Sequence, residues 1–329
     1  MNAPARASLL ASLALAAAAA SPGASLAIDP AAGTGGAAFM RLGMGSARAM
    51  ALGRSFVAAA EGTDALIWNP AGLGLTQQRE MGYSYLRYIQ DVDAPLYMAY
   101  AHPLGRTVWG ANLAYMSLEG FDARDSQGLP LSDQDIRVQN GFATLSMARS
   151  FWYEKVFLGL SVKGVHEDND GSRRDTMVGD FGVILKPGNN VSFGFATQNF
   201  GASQSQVGRV TRIGAAGRVV ELLQLSLEVA KPSDNNSKVG LGAEFTLPED
   251  FLEVGQVTLR AGFQSVDQHG AVSVEERHFL HPLVGAEGLT FGIGIYSSQA
   301  FGYGISFDYA MVSMGTLGTV DQLSLKMRF

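Results

Sequence analysis

From about residue 79 to the end of the chain, apolar and polar residues alternate with a period of two. The last segment, LSLKMRF (323–329), puts Leu323, Leu325, Met327 and Phe329 on one face of an extended chain and Ser324, Lys326 and Arg328 on the other. Leu223, Leu225, Leu227 and Val229 alternate in the same way with Gln224, Ser226 and Glu228. So do Val156, Leu158, Leu160 and Val162 with Phe157, Gly159, Ser161 and Lys163. VSFGFATQ (191–198), VGLGAEF (239–245), VTLRAGFQ (257–264) and LTFGIGIY (289–296) continue the series. Segments of about ten alternating residues separated by turns are the trace of a membrane barrel strand. A count along the chain predicts about fourteen strands, near 80–88, 94–102, 106–118, 135–149, 153–166, 175–186, 190–200, 208–218, 222–231, 237–247, 256–266, 287–297, 300–312 and 319–329. A chain that ends inside a strand predicts closure: an open sheet edge in lipid leaves backbone groups unpaired at several kcal/mol each.

The links between these segments alternate in length. The odd links, such as QDVDA, EGFDARDSQGLPLSDQ (119–134), EDNDGSRR (167–174), PSDNNS and the segment 267–286, are polar or long, whereas HPLGR, KPGNN and SSQA are tight. Long outer loops and short periplasmic turns are the rule for outer-membrane barrels, and a soluble β-sandwich gives no reason for the asymmetry. The fold class expected is therefore an all-β transmembrane antiparallel barrel.

Composition sharpens this. The 329 residues are only 16% charged, and the sizeable apolar run, Leu9–Ala20, is shorter than the roughly 20 residues of a spanning helix. Arg6 before that run and Ser25-Leu26-Ala27 after it predict a cleaved signal peptide over 1–27. Its loss removes one Arg and no acid, taking the formal charge from -6 to -7, which argues against a nucleic-acid partner. Without cysteine there is neither disulfide nor thiol chemistry to expect.

Residues 28–78 lack the alternation and are rich in Gly and Ala. Within them, Trp68-Asn69-Pro70-Ala71-Gly72 predicts a fixed turn, because Asn before Pro disfavours helix and Pro fixes its own φ. Glycines on the inward face, at Gly240, Gly242, Gly292, Gly294, Gly302 and Gly304, suit either close approach of a plug or relief of curvature. Lys163, Asp180, Glu228, Glu244, Arg260, Asp308, Lys326 and Arg328 fall on that same face; their mixed signs predict internal ion pairs holding the plug.

FMRLGMGSARAMALGRSFVAAAEGTDALIWNPAGLG (39–74), TRIGAAGRVVELLQLSLEVAKPSDNNSKVGLGAEF (211–245) and the tail GISFDYAMVSMGTLGTVDQLSLKMRF (304–329) resemble the PorV/PorQ-like outer-membrane proteins, which belong with the FadL-type transporters. The resemblance implies a Gram-negative-type outer membrane, a fourteen-stranded barrel over 79–329 and a lumenal hatch over 28–78. In it, Asn69, Pro70 and Ala71 form the hatch turn. It also implies a secretion accessory of the type IX kind that binds exported proteins or a translocon, or alternatively passive passage of hydrophobic small molecules. The 278–284 stretch, with His278, Phe279, Leu280, His281 and Leu283, is too apolar for a free aqueous loop and is expected to fold over the barrel mouth or dock a partner.

Enzymatic motifs and cofactor sites are not expected. Gly43-x-Gly45 lacks the strand, helix and acidic residue of a dinucleotide loop, and His278-x-x-His281 lacks further zinc ligands. The acids of Glu167-Asp168-Asn169-Asp170 lack full calcium-loop spacing. The alternation in 222–230 further predicts that Arg at Leu225 impairs assembly whereas Arg at Ser226 is tolerated or alters only the lumen.

Overall fold

A computed structural model describes residues 29–88, 93–124, 127, 129–249, 255–265, 288–300, 302–314 and 318–329. The signal-peptide region and the 278–284 stretch, with His278, Phe279, Leu280, His281 and Leu283, lie outside the described residues.

Fourteen antiparallel strands form a closed barrel. They are β1 Glu80–Arg87, β2 Asp93–Leu104, β3 Thr107–Arg124, β4 Pro130–Phe151, β5 Val156–Asn169, β6 Ser172–Gly188, β7 Val191–Phe200, β8 Val210–Val220, β9 Leu223–Pro232, β10 Lys238–Leu247, β11 Gln256–Gln264, β12 Leu289–Ala300, β13 Tyr303–Ser313 and β14 Thr319–Arg328. Each strand pairs with its neighbours in sequence, and β14 returns to β1 with Met81 opposite Met327, Tyr83 opposite Leu325 and Tyr85 opposite Leu323. The C-terminal strand thus closes the wall, leaving no edge in lipid.

Alternation decides the faces. Leu323, Leu325, Leu145, Val162, Ile293 and Ile295 are exposed on the outside, whereas Ser324, Ser146, Ser161 and Thr290 are buried inside. Among the described residues no helix is long and apolar enough to cross a membrane, and the strands do so. Trp152 and Tyr153 stand exposed in the β4–β5 turn, suited to a headgroup layer.

Two segments read as loops are largely strand. In 119–134, Phe121 pairs with Ile136 and Asp122 with Asp135, and in 167–174, Glu167 pairs with Arg174 and Asp168 with Arg173. Polar composition identifies exposure to water on both faces; it does not stop backbone groups from satisfying one another in a hairpin that projects beyond the bilayer.

The N-terminal segment packs against the inward side of the wall through short helical turns, among them helices Ala47–Ala51 and Ala65–Trp68 and 3-10 turns Ala38–Arg41, Gly62–Asp64 and Pro70–Leu75. Ser46 caps the first helix by accepting from Ala49 N–H. Small residues let these turns pack against the wall: Ala47, Ala49, Ala51, Ala60, Ala65 and Ala71 have no exposed surface.

Candidate functional site

The Asn-Pro turn makes a close contact between the N-terminal segment and the wall. Pro70 forces Asn69 into an extended conformation (φ -155°), and the Asn69 side chain then accepts from Ala71 N–H at 3.1 Å. Its amide donates to the carbonyls of Val57 at 2.8 Å and Val183 at 3.2 Å, tying both chain regions together. Gly159 and Gly182 face this turn, and a β-carbon on either would overlap Pro70 or Asn69. Ala71 packs with Phe157 and Ile184. Gly240, Gly242 and Gly292 likewise admit Gly53, Leu52 and Ala51; Gly294 instead faces Arg260 and Asp308, and Gly302 meets open space in a turn.

Buried polar groups hold the segment elsewhere. One Glu228 oxygen accepts the N–H groups of Phe56 and Val57, each at 2.8 Å, and the other accepts from Arg212 at 2.6 Å. Arg212 also lies over the Trp68 ring, 4.7 Å from its centroid. Gln322 donates to the carbonyls of Gly43 and Met44, and Ser324 accepts from Ala47 N–H. Inward charges of opposite sign pair along the wall. Lys163 meets Asp180 at 2.6 Å, Lys326 meets Asp64, and Arg328 meets Glu80 at 2.8 Å. Arg260 joins Glu244 and Asp308, each at 2.7 Å, and Arg48 from the segment completes the chain through Glu244. Burial disfavours charge on Arg48, but Glu244 and Glu61 outweigh it and raise its pKa well above the usual value.

Among the described residues, a sizeable cavity lies on either side of these contacts. On the periplasmic side, about 490 Å³ is lined by the ion-paired Arg48, Glu61, Glu244, Arg260, Asp308 and Arg328. At the outer end, about 360 Å³ is lined by Leu42, Val210, Val239 and Met314 together with Arg41, Arg54, Arg212 and Glu228. Arg48 and Arg54, six positions apart, therefore face opposite ends of the barrel.

No protein-family model and no curated protein matches the chain. Solved structures do. The toluene transporter TbuX of Ralstonia pickettii aligns at 15% identity over 88% of this chain and 99% of that one, with a TM-score of 0.57. A FadL homologue of Pseudomonas aeruginosa aligns at 10% identity over 87% and 98%, TM-score 0.54. The toluene transporter TodX of Pseudomonas putida aligns at 12% identity over 87% and 97%, TM-score 0.52. The fold is that of the FadL-type channels. A closed fourteen-stranded barrel of this kind, apolar outside, is an outer-membrane protein.

The FadL-type likeness corrects one expectation. Nothing in it supports the PorV/PorQ assignment, and the secretion-accessory role that came with that assignment is overturned by neighbours described as toluene transporters and a monoaromatic hydrocarbon channel. The alternation carried by the tail and the 211–245 stretch is common to strands of any such barrel and does not separate one barrel family from another.

Sequence reasoning missed the arginines of the segment. Arg41, Arg48 and Arg54 fall in RLGMGSARAMALGR, an otherwise apolar stretch, and three cations in a stretch destined for burial were the available signal.

Proposed function

We propose that this protein is a non-enzymatic, passive channel for a hydrophobic small molecule, loaded at the outer mouth and gated by residues 28–78 acting as a hatch. The observation that carries this reading is the partly apolar 360 Å³ cavity at the outer end, separated by the N-terminal segment from a periplasmic floor of ion pairs. Apolar lining with a few convergent polar groups is the usual composition of a small-molecule site. An apolar molecule would lose its favourable surroundings on entering the paired charges below, so transfer requires the segment to shift or the molecule to leave sideways. Charged groups on the inward face, Lys163, Asp180, Glu228, Glu244, Arg260 and Asp308, act in this reading as latches, with Asn69, Pro70 and Ala71 as the pivot. The FadL-type neighbours, described as toluene transporters, support the same class of cargo.

Uptake of radiolabelled toluene by outer-membrane vesicles tests it. Vesicles carrying the protein should accumulate toluene several-fold faster than vesicles without it, and equal rates would refute the reading.

A further inference from the structure

Three consecutive residues of the tight β4–β5 turn hold left-handed backbone: Trp152 (φ 49°), Tyr153 (φ 56°) and Glu154 (φ 62°). None is glycine. Side chains disfavour this region, and residues persist there where surrounding contacts over-determine them. The chain itself supplies little such contact. Lys155 N–H donates to the Trp152 carbonyl at 3.3 Å, but Trp152 is mostly exposed and Tyr153 wholly so. The strained turn therefore presents two aromatic rings beyond the end of the wall, and rings with a polar tip partition to the boundary between lipid and water.

The wall beside this turn is basic. Thr107 lies opposite Arg149, and Ser150 N–H donates to the Arg106 carbonyl at 3.3 Å, so the two arginines stand on neighbouring strands, one step out of register. Arg149 shares the lipid-facing side with the exposed Leu145, Trp109 and Leu158, and its guanidinium carbon is 5.8 Å from the Phe151 ring centroid. Over 101–109 and 147–158 the cations Arg106, Arg149 and Lys155 face one acid, Glu154. Among the described residues none of the three forms a salt bridge. Like charges on neighbouring strands repel until an anion lies between them.

We propose that the ends of β3 and β4 with the β4–β5 turn form a binding site for an anionic phospholipid of the periplasmic leaflet. Arg106 and Arg149 share its phosphate, and Trp152 and Tyr153 seat the turn in the headgroup layer. Three features identify the occupant. The site is on the outer side of a membrane wall, at the end marked by the short turns, which places it in the periplasmic leaflet. A guanidinium fork matches two phosphate oxygens. A zwitterionic headgroup would bring its own ammonium against three cations with only Glu154 to meet it, so charge favours a lipid without one. Trp109 and Leu158 flank the path of the acyl chains. The site stands apart from the lumen and goes beyond the channel reading: it concerns how the barrel is held in its membrane, whatever passes through it.

Native mass spectrometry of the detergent-solubilised full chain tests this, with phosphatidylglycerol and phosphatidylethanolamine of the same acyl chains offered in equal amounts. The wild type should retain phosphatidylglycerol about tenfold better, as expected where two cations near the headgroup each contribute. Arg106→Gln with Arg149→Gln should bring the two lipids level, whereas Arg106→Lys with Arg149→Lys should keep most of the preference. Heat-modifiable gel mobility checks that both double variants remain closed barrels. Trp152→Ser with Tyr153→Ser should lower retention of both lipids. Equal retention by the wild type, or an undiminished preference in the glutamine variant, would overturn the proposal. So would lipid A displacing phosphatidylglycerol from the wild type, since that lipid belongs to the opposite leaflet.

Discussion

Asn69 stands directly over Gly182, its side-chain oxygen in the space a β-carbon of residue 182 would need. The turn of the N-terminal segment and the sixth strand are thus fitted at backbone contact. Gly182→Val should lower stability by about 1–3 kcal/mol through overpacking, more than Gly164→Val, where nothing lies within 4 Å of the added carbon. Urea titration of heat-modifiable gel mobility reads the difference; equal midpoints would show that the turn does not rest on the wall.

Glu228 carries a larger share of the same attachment. Replacing it by Ala leaves Arg212 without its carboxylate and two N–H donors, of Phe56 and Val57, without their acceptor. Removing one member of a buried pair costs about 3–5 kcal/mol. Glu228→Gln keeps one acceptor oxygen and should lose less. Protease sensitivity of the N-terminal segment in intact vesicles should rank Ala above Gln above wild type.

The barrel was legible because period-two alternation runs through strands such as β5 and β14: the wall has lipid on one side and a packed lumen on the other. The interior was not. Ser226 alternates correctly with Leu225 and Leu227, but inward does not mean open: its hydroxyl is 2.7 Å from that of Ser55 and the residue is buried. Alternation says which way a side chain points and nothing about what waits there, because the segment that fills the lumen has no period of its own. The pairing of Arg48 with Glu244 joins residues nearly 200 positions apart and leaves no local trace.

The prediction at β9 changes accordingly. Leu225→Arg should impair assembly by about 2–4 kcal/mol at the bilayer midplane. Ser226→Arg, expected from alternation to be tolerated or to alter only the lumen, should expel the segment around Ser55. The two defects differ: the first should reduce the amount of heat-modifiable barrel, whereas the second should leave the barrel and expose 46–57 to protease.

At the outer mouth, acidity should loosen the segment. Burial tends to raise the Asp234 carboxyl, but hydrogen bonds and charge from Arg41 outweigh it, so its folded pKa lies below the usual value. A depressed carboxylate contributes stability above its unfolded pKa, about 3.9, and loses it as pH falls through the folded value. Hydrogen exchange across residues 35–42, corrected for intrinsic rate, should be flat from pH 7 to 5 and accelerate below about pH 4. Asp234→Asn should exchange fast throughout; an unchanged low-pH response in that variant would assign the effect to another group.

Movement of the segment can be tested with a covalent latch. The chain contains no cysteine, so a pair introduced at Ser55 and Ser226 would be the sole thiols present. Their hydroxyls already meet at 2.7 Å across the segment and β9, between side chains that are both buried, which favours a bridge without displacement of the backbone. If passage requires the hatch to leave β9, the oxidised double variant should retain ligand at the outer cavity yet fail to deliver toluene into vesicles, and a reductant should restore delivery. Each single variant should behave as wild type under both conditions. Full delivery by the oxidised protein would place the route away from this contact, sideways through the wall from the outer cavity, with the N-terminal segment as its floor.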